Sequence, residues 1–313
     1  MKIAITGSSG FIGTNLMLYF AKTEPDTEMV LVDVVPPVAP MPANACFIYA
    51  DIRNLKTMID AFRGVEEVYH LAGILGTSEL IAVSSLACEV NIVGANNVMD
   101  AARISGVKRV YNVAKPHFDG YDENSYTLTK HAGELIGRLY QEKYGMEVAT
   151  VRWLNAVGPY QHLYPVRKFL PMMILLAMHD MPLEIYGDGT QTIDPIDVED
   201  LSRFTVFATR NLGREKTVVD LGSGTAINCN DAAEMILRVL GEEGVGTKSE
   251  IVHVPMREGE KPGVNLVADM SYWDAVGMQC EVPFSASIQK TVHHMLGLPK
   301  VHLTNALHFY GKL

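Results

Sequence analysis

Short apolar runs alternate with longer mixed stretches at a regular interval through the first half of the chain. Ile3-Ala4-Ile5 runs into Thr6 and a glycine-rich turn, Met29 to Val32 ends in Asp33, Cys46 to Ala50 follows, and Val68 to Gly73 opens into small residues. Runs this short and this apolar read as strands buried on both faces. The stretches between them read as helices: one after the first turn, one ending near Phe62, and a mostly helical span from Glu79 to Ser105. Lys108 to Val113 is a fifth strand. Asp122-Glu123-Asn124-Ser125 then precedes a long amphipathic helix from Tyr126 to Tyr144, stopped by Gly145, and Glu147 to Trp153 is a further strand. Strands alternating with helices in this way predict an α/β fold with a doubly wound parallel sheet. After Gly158-Pro159 the alternation gives way to prolines, turns and shorter elements. There the pattern predicts a helix over Pro165 to Met178, a strand over Leu183 to Tyr186 closed by Gly187-Asp188-Gly189, a helix over Asn230 to Leu240 and a strand over Ile251 to Val254. Thr217 to Leu221 reads as a strand returning to the first sheet. The expected division is therefore 1–158, with a return near 217–222, and a smaller α/β region over 159–313. The tail after Lys300 shows no readable pattern.

The bulk numbers narrow the class without deciding it. The chain has 313 residues, 48% hydrophobic and 20% charged, as an ordinary globular protein does. A net charge of −10 opposes binding to nucleic acid or an anionic membrane, so any anionic ligand must be held by local cations and backbone N–H groups. Cys46, Cys88, Cys229 and Cys280 show no CxxC pairing, which argues against a zinc site or a disulfide framework. The longest apolar run, Pro171 to Met178, is too short to span a bilayer, and the chain opens directly on a strand. A cytoplasmic location is the expectation.

Chemistry enters at the first turn. In Gly7-Ser8-Ser9-Gly10-Phe11-Ile12-Gly13 the first glycine permits a tight turn, the second lets backbone N–H groups approach a pyrophosphate, and the third lets the new helix pack on its strand. The helix N-terminus then faces the anion. The spacing is Gly-x-x-Gly-x-x-Gly, and Asp33 stands about 20 residues past it, where a carboxylate holds ribose hydroxyls and repels the extra phosphate of NADP. NAD is the predicted cofactor of a Rossmann-type domain. Further on, Tyr126 and Lys130 stand at i and i+4, on one face of one helix. A cation within ~4–6 Å can lower a phenol's pKa by roughly 1–3 units, which would make Tyr126 a base for a sugar hydroxyl. Such pairs also occur on helix surfaces without a function; the dinucleotide fingerprint ahead of this one turns the reading toward catalysis.

With these residues the chain resembles the NAD-dependent sugar-nucleotide epimerase/dehydratase family of extended short-chain dehydrogenase/reductases, and is similar to UDP-glucose 4-epimerases. The likeness covers roughly residues 1 to 290. It also rests on Asp51-Ile52-Arg53, His70-Leu71-Ala72-Gly73, Asn91 to Ala95, Arg152 to Pro159, Tyr186 to Gln191, and Arg257-Glu258-Gly259-Glu260. The resemblance implies that Asp51 and Ile52 flank the adenine, that Leu71, Ala72 and Gly73 line the cofactor's centre, that Asn91 lies on its nicotinamide side, and that Val113 is also a cofactor-binding residue. It assigns Asn155, Lys168, Tyr186 and Arg257 to the substrate's nucleotide and diphosphate, with Asn155 as a turn residue and Arg257 as a solvated loop charge the plainer alternatives. Thr77 and Ser78 are either sugar contacts or turn fillers. The resemblance also implies a homodimer through the Glu79 to Ser105 and Tyr126 to Tyr144 helices; Leu135, Ile136 and Leu139 on the apolar face of the second fit that and fit core packing equally well.

Two departures stand out. The family closes its fifth strand with a hydroxyl that bonds the reacting sugar oxygen, whereas here the segment is Asn112-Val113-Ala114-Lys115-Pro116-His117. Lys115 stands at the missing serine, so either it, His117 or water takes that place. Ile193 stands where relatives carry a phosphate-binding arginine, a loss that Arg167, Lys168 or Arg257 could make good. The implied function is an epimerase that transiently oxidises C4 of a UDP-hexose or similar nucleotide-sugar. A dehydratase or reductase of the same family, or a low-turnover NAD- or sugar-nucleotide-binding protein, is the alternative.

Overall fold

The computed structural model describes residues 1–116, 124–212, 218–258 and 263–313. They form two compact units, 1–153 with 201–221, and 154–200 with 222–313.

The first unit contains β1 (Lys2–Thr6), α1 (Phe11–Thr23), β2 (Glu28–Asp33), β3 (Ala45–Tyr49), α2 (Leu55–Ala61), β4 (Glu67–His70), α3 (Ser84–Cys88), α4 (Ala95–Ile104), β5 (Arg109–Ala114), α5 (Ser125–Tyr144) and β6 (Glu147–Trp153). In the second unit follow β7 (Asn155–Val157), α6 (Phe169–Ala177), β8 (Leu183–Tyr186), β9 (Thr192–Ile193) and β10 (Pro195–Asp197). The chain then returns to the first unit through α7 (Val198–Asn211) and β11 (Val218–Leu221). It ends in the second with β12 (Ile227–Asn228), α8 (Cys229–Glu242), β13 (Ile251–Val254), α9 (Ser271–Ala275), α10 (Phe284–Leu296) and α11 (Lys300–Phe309).

Seven strands of the first unit make one parallel sheet in the order β11-β6-β5-β4-β1-β2-β3. Because side chains alternate along a strand, Ala4, Val30, Val68 and Val110 face one side, where Met58 and Phe62, just past α2, and Val98 and Met99 of α4 cover them. The other side carries Ile5, Leu31, Tyr69 and Tyr111, all fully buried. Phe20 of α1 meets Tyr69 edge-on with ring centroids 5.3 Å apart, and Thr205 of α7 donates to the Tyr111 hydroxyl at 3.3 Å. Two covered faces explain why the inner strands read as unbroken apolar runs, whereas the edge strand β3 is only partly buried. At the N-terminal end of β4, the buried Glu67 carboxylate is neutralised by Arg109 at 3.3 Å and Arg210 at 3.1 Å. Removing one partner of such a buried pair typically costs about 3–5 kcal/mol.

α5 bears both Tyr126 and Lys130, and three contacts fix it on the sheet. Asn112 Nδ2 donates to the Gly133 carbonyl at 3.1 Å, and Arg152 grips Glu134 with two bonds of 2.9 and 2.8 Å. A Cβ at Gly137 would lie 2.7 Å from Asn112 Nδ2, so the helix approaches only because that residue has none. The helix is capped at its start by Asn124, whose Oδ1 accepts from Thr127 N, and at its end by Gly145 at φ +65°.

The second unit packs α6, α8, α10 and α11 around one apolar cluster with β8, including Leu170, Ile174, Leu183, Ile236, Ile288 and Leu307. Buried carboxylates lock its loops. Asp194 accepts from the backbone of Ser223, Gly224 and Ala268 at 2.6, 3.2 and 2.8 Å, and Asp197 accepts from Ser287 Oγ at 2.6 Å.

Three expectations need correction. The break falls after Trp153 rather than at 158, because Asn155 to Val157 pair with Pro195 to Asp197 and not with the large sheet. The return is longer than expected: residues 201–211 of α7 precede it in the first unit, while the expected strand holds, Val218 to Leu221 rejoining the sheet beside β6; Thr217 lies outside the described residues. The helix expected over Pro165 to Met178 begins only at Phe169. Pro171 explains it: a proline lacks the N–H and clashes with the carbonyl four residues back, so it must fall in the helix's first turn.

Candidate active site

The C-terminal ends of β1 and β4 lie side by side at the point where the strand order reverses, which is where a doubly wound sheet binds its ligand. Gly7, at φ +72°, turns the chain there, and a Cβ on it would lie 2.6 Å from Ala72 N. A Cβ on Gly13 would lie 2.2 Å from the Gly7 carbonyl oxygen, and one on Gly10 3.2 Å from the same atom. Leu71 N continues the ladder to Thr6 O at 3.1 Å, so the 71–73 segment runs directly beside this turn. Gly10 caps α1 without a side chain, and Phe11, Ile12 and Gly13 form its first turn. The first N–H groups of a helix have no intrahelical acceptor and are suited to an anion. Ser8 Oγ is buried with no hydrogen-bond partner among the described residues. At the end of β2, Asp33 accepts from Ser9 N at 2.9 Å and from Val34 N at 2.7 Å, which fixes its carboxylate beside the glycine turn. A turn closed to side chains, an uncapped helix start and a braced carboxylate fit a dinucleotide. Gly13→Ala should therefore abolish NAD retention through purification. Gly241→Ala, which meets nothing within 4 Å, should leave it unchanged.

The other cofactor-side residues are partly committed to the protein. Asp51 is gripped by Arg53 at 2.6 to 3.1 Å, which holds its carboxyl below the usual carboxylate range. Ile52 is buried against Gly94, where a Cβ would lie 2.6 Å from its Cδ1. Asn91 sits in a π-helical stretch, Glu89–Gly94, of the kind that often marks functional sites. Its amide bonds Ile74 N and O, both at 2.9 Å, and Thr129 Oγ1 at 3.0 Å, so it ties the loop after β4 to α5. Thr77 lies in the turn that ends this loop.

Tyr126 is in the first turn of α5 and Lys130 lies one turn on. Burial pushes the Tyr126 phenol up to about 12 and the Lys130 ammonium down to about 8. The i, i+4 spacing alone predicts a lowered phenol; here loss of water is what shifts both groups, and the phenol moves up. Lys130 borders a small cavity with His70, Asn91, Asn112, Val113 and Thr129. Burial, with the Lys130 charge adding to it, pushes His70 down to about 3, so His70 is a neutral partner for Thr6 Oγ1 at 2.9 Å. Lys115, just past β5, places Nζ 5.7 Å from the Tyr126 ring centroid and donates to Thr127 Oγ1 at 2.7 Å. Its ammonium thus stands at the face of the phenol ring, while His117 lies outside the described residues.

In the second unit, Tyr186 gathers two cations. Arg167 Nη1 donates to its hydroxyl at 2.5 Å, and Arg257 stacks over its ring at 5.1 Å. Arg167 also lies over the Tyr310 ring at 5.6 Å. Lys168 is the extended residue before α6. Asn155 Oδ1 accepts from Asp194 N at 3.1 Å, and Ile193 packs on the unit's apolar core. The departure at Ile193 thus removes a charge without leaving a gap.

The model of the NAD-dependent epimerase/dehydratase family matches residues 3–222. The chain belongs to this family, and NAD is its cofactor. A putative UDP-glucose 4-epimerase from Methanocaldococcus jannaschii is 25% identical over 311 residues, covering 94% of this chain and 98% of that protein. A dTDP-glucose 4,6-dehydratase from Streptomyces niveus is 25% identical over 285 residues, covering 83% and 82%. The Thermus thermophilus UDP-glucose 4-epimerase solved in complex with NAD superposes with a TM-score of 0.83 at 21% identity, over 96% of this chain and 100% of that one. The epimerase/dehydratase fold is therefore shared along essentially the whole chain. Thr127 and Tyr310 were not legible as site residues from sequence, whereas Arg167 is among the cations expected to stand in for the arginine missing at Ile193. Nothing in the spacing of Thr127 and Tyr310 marks them, and only packing brings them to Lys115 and Arg167.

Proposed function

We propose that this family member is a nucleotide-sugar 4-epimerase acting on a UDP-hexose or a close relative. The observation that carries the reading is Tyr126 with Lys130 on α5, in the unit that holds the glycine turn and Asp33. When bound, NAD supplies a hydride acceptor that can return the hydride to either face of the sugar. Gly7, Gly10 and Gly13 make room for its pyrophosphate, Asp33 takes the adenosine ribose, and Lys130 takes the nicotinamide ribose. Tyr126 accepts the proton of the sugar's C4 hydroxyl and gives it back. In the ligand-free protein burial keeps its phenol protonated, and positive charge brought close by the oxidised cofactor would lower its pKa.

Arg257, Arg167 and Lys168 supply cations for the nucleotide's diphosphate, and a guanidinium offers two phosphate oxygens a planar fork. Asn155 and Tyr186 belong to the same set, and Thr77 to the sugar's side. Lys115 and Pro116 put no carboxylate directly after β5, which favours epimerisation over an elimination needing an acid–base pair there.

Among the described residues no helix is long and apolar enough to cross a membrane, and a cytoplasmic enzyme is part of the proposal. So is a homodimer through α5. Leu128, Leu135 and Leu139 form one stripe with 48, 49 and 46% of their surface exposed, whereas Ile136, expected on that face, packs on the sheet's core.

Incubation with UDP-, dTDP- and GDP-sugars, with products read by mass and NMR, tests the reading. Inverted stereochemistry at unchanged mass supports it. Loss of water from the sugar, or inertness across the panel, contradicts it.

A further inference from the structure

The ammonium of Lys115 donates to a buried hydroxyl beside the candidate acid. Thr127 is 2% exposed, its N–H is bound by the Asn124 cap at 2.9 Å, and its Oγ1 lies 2.7 Å from Lys115 Nζ. A branched side chain in the first turn of a capped helix has few rotamers, so the hydroxyl's position is set by the backbone of α5. A lysine at a strand end ordinarily spreads over many rotamers in water. This one is directed onto the helix that carries Tyr126, with Nζ 5.7 Å from the centre of its ring.

We infer that Thr127 is a positioning residue: it seats the Lys115 ammonium so that Lys115, in place of a hydroxyl, donates a hydrogen bond to the sugar oxygen whose proton Tyr126 takes. The inference rests on the epimerase reading. Lys115 keeps its proton throughout; the only proton transferred runs between the sugar oxygen and Tyr126. A charged donor stabilises the developing alkoxide more than a hydroxyl does, and a donor fixed in advance does not have to be reoriented as the reaction proceeds. Thr127 acts only through Lys115, so its contribution disappears when Lys115 is absent.

A double-mutant cycle on turnover tests this, with NAD content and KM for the nucleotide-sugar as controls. Lys115→Ala should lower kcat by ~10²-fold, the usual cost of one oriented donor, with NAD still bound. Thr127→Val should lower kcat by about tenfold with KM and NAD content unchanged, and Thr127→Ser should restore it. The double variant should be no slower than Lys115→Ala alone, since coupled residues are not additive. Thr127→Ala replaces the valine variant if valine does not fold. An active wild type in which the two losses multiply, or in which Lys115→Ala turns over normally, overturns this inference and leaves the epimerase reading standing. A wild type inert to every nucleotide-sugar overturns both.

Discussion

Tyr126→Phe should lower turnover ~10²–10⁴-fold, the range for loss of one positioned acid–base group, while NAD content and nucleotide-sugar affinity hold. The ring is half-buried in the first turn of α5, and phenylalanine fills the same space, so packing around it is unchanged. What disappears is the oxygen that takes and returns the sugar's proton in the proposed mechanism. Because burial holds that oxygen protonated up to about pH 12 in the empty protein, its removal deletes no charge from the fold. Stability should therefore be unaffected, and kcat, compared with thermal melting and NAD occupancy, reads the chemical loss alone.

Lys130→Met should do something less usual: stabilise the protein while inactivating it. The ammonium's pKa falls from 10.5 to about 8 through burial. Each unit corresponds to about 1.4 kcal/mol, so holding the charge costs no more than about 3 kcal/mol, the side chain keeping partial contact with solvent. Below about pH 8 both folded and unfolded chains carry the proton and the whole cost applies. Between about 8 and 10.5 the unfolded chain keeps a proton that the folded one has lost, so wild-type stability should climb with pH in that window. Methionine has similar length and no charge to desolvate. Chemical denaturation across pH should show the variant more stable at neutral pH and without the climb. Turnover should be lost, since in the proposed mechanism Lys130 holds the nicotinamide ribose beside Tyr126. A wild-type stability curve flat from pH 8 to 10.5 would mean that the ammonium is not desolvated.

Local pattern announced the elements whose structure is set locally. Ile3 to Gly13 reads as strand, turn and helix because close backbone approach requires glycine at 7 and 13, and Asp33 follows from the length of one βα unit. Tyr126 and Lys130 share a face by helical geometry, and Gly145 ends α5 because its φ is +65°. What pattern could not show depends on burial and on distant chain. The phenol moves up rather than down because desolvation is a property of packing. Ile136 faces the sheet while Leu135 faces solvent, a choice set by the crossing of α5 over β5 and β6. Asn91 serves Ile74 and Thr129 because its helical stretch packs between the loop after β4 and α5, and Thr127 meets Lys115 because α5 starts beside the end of β5. The signal for α7 is present in the sequence although no helix is expected there: Asp197 Oδ1 accepts from Glu199 N at 2.8 Å, Glu199 and Asp200 stand in its first turn, and Leu201, Phe204 and Ala208 recur on one buried side.

In the proposed reaction one carbon of a nucleotide-sugar is oxidised at Tyr126 and reduced again from its other face without exchange with water. UDP-glucose carrying deuterium at C4 is the substrate that decides it. The expected product is UDP-galactose that retains the deuterium at C4 with inverted configuration, formed by the wild type and lost in Tyr126→Phe. Wash-out of the C4 deuterium into solvent, or equal conversion by the phenylalanine variant, would rule this chemistry out.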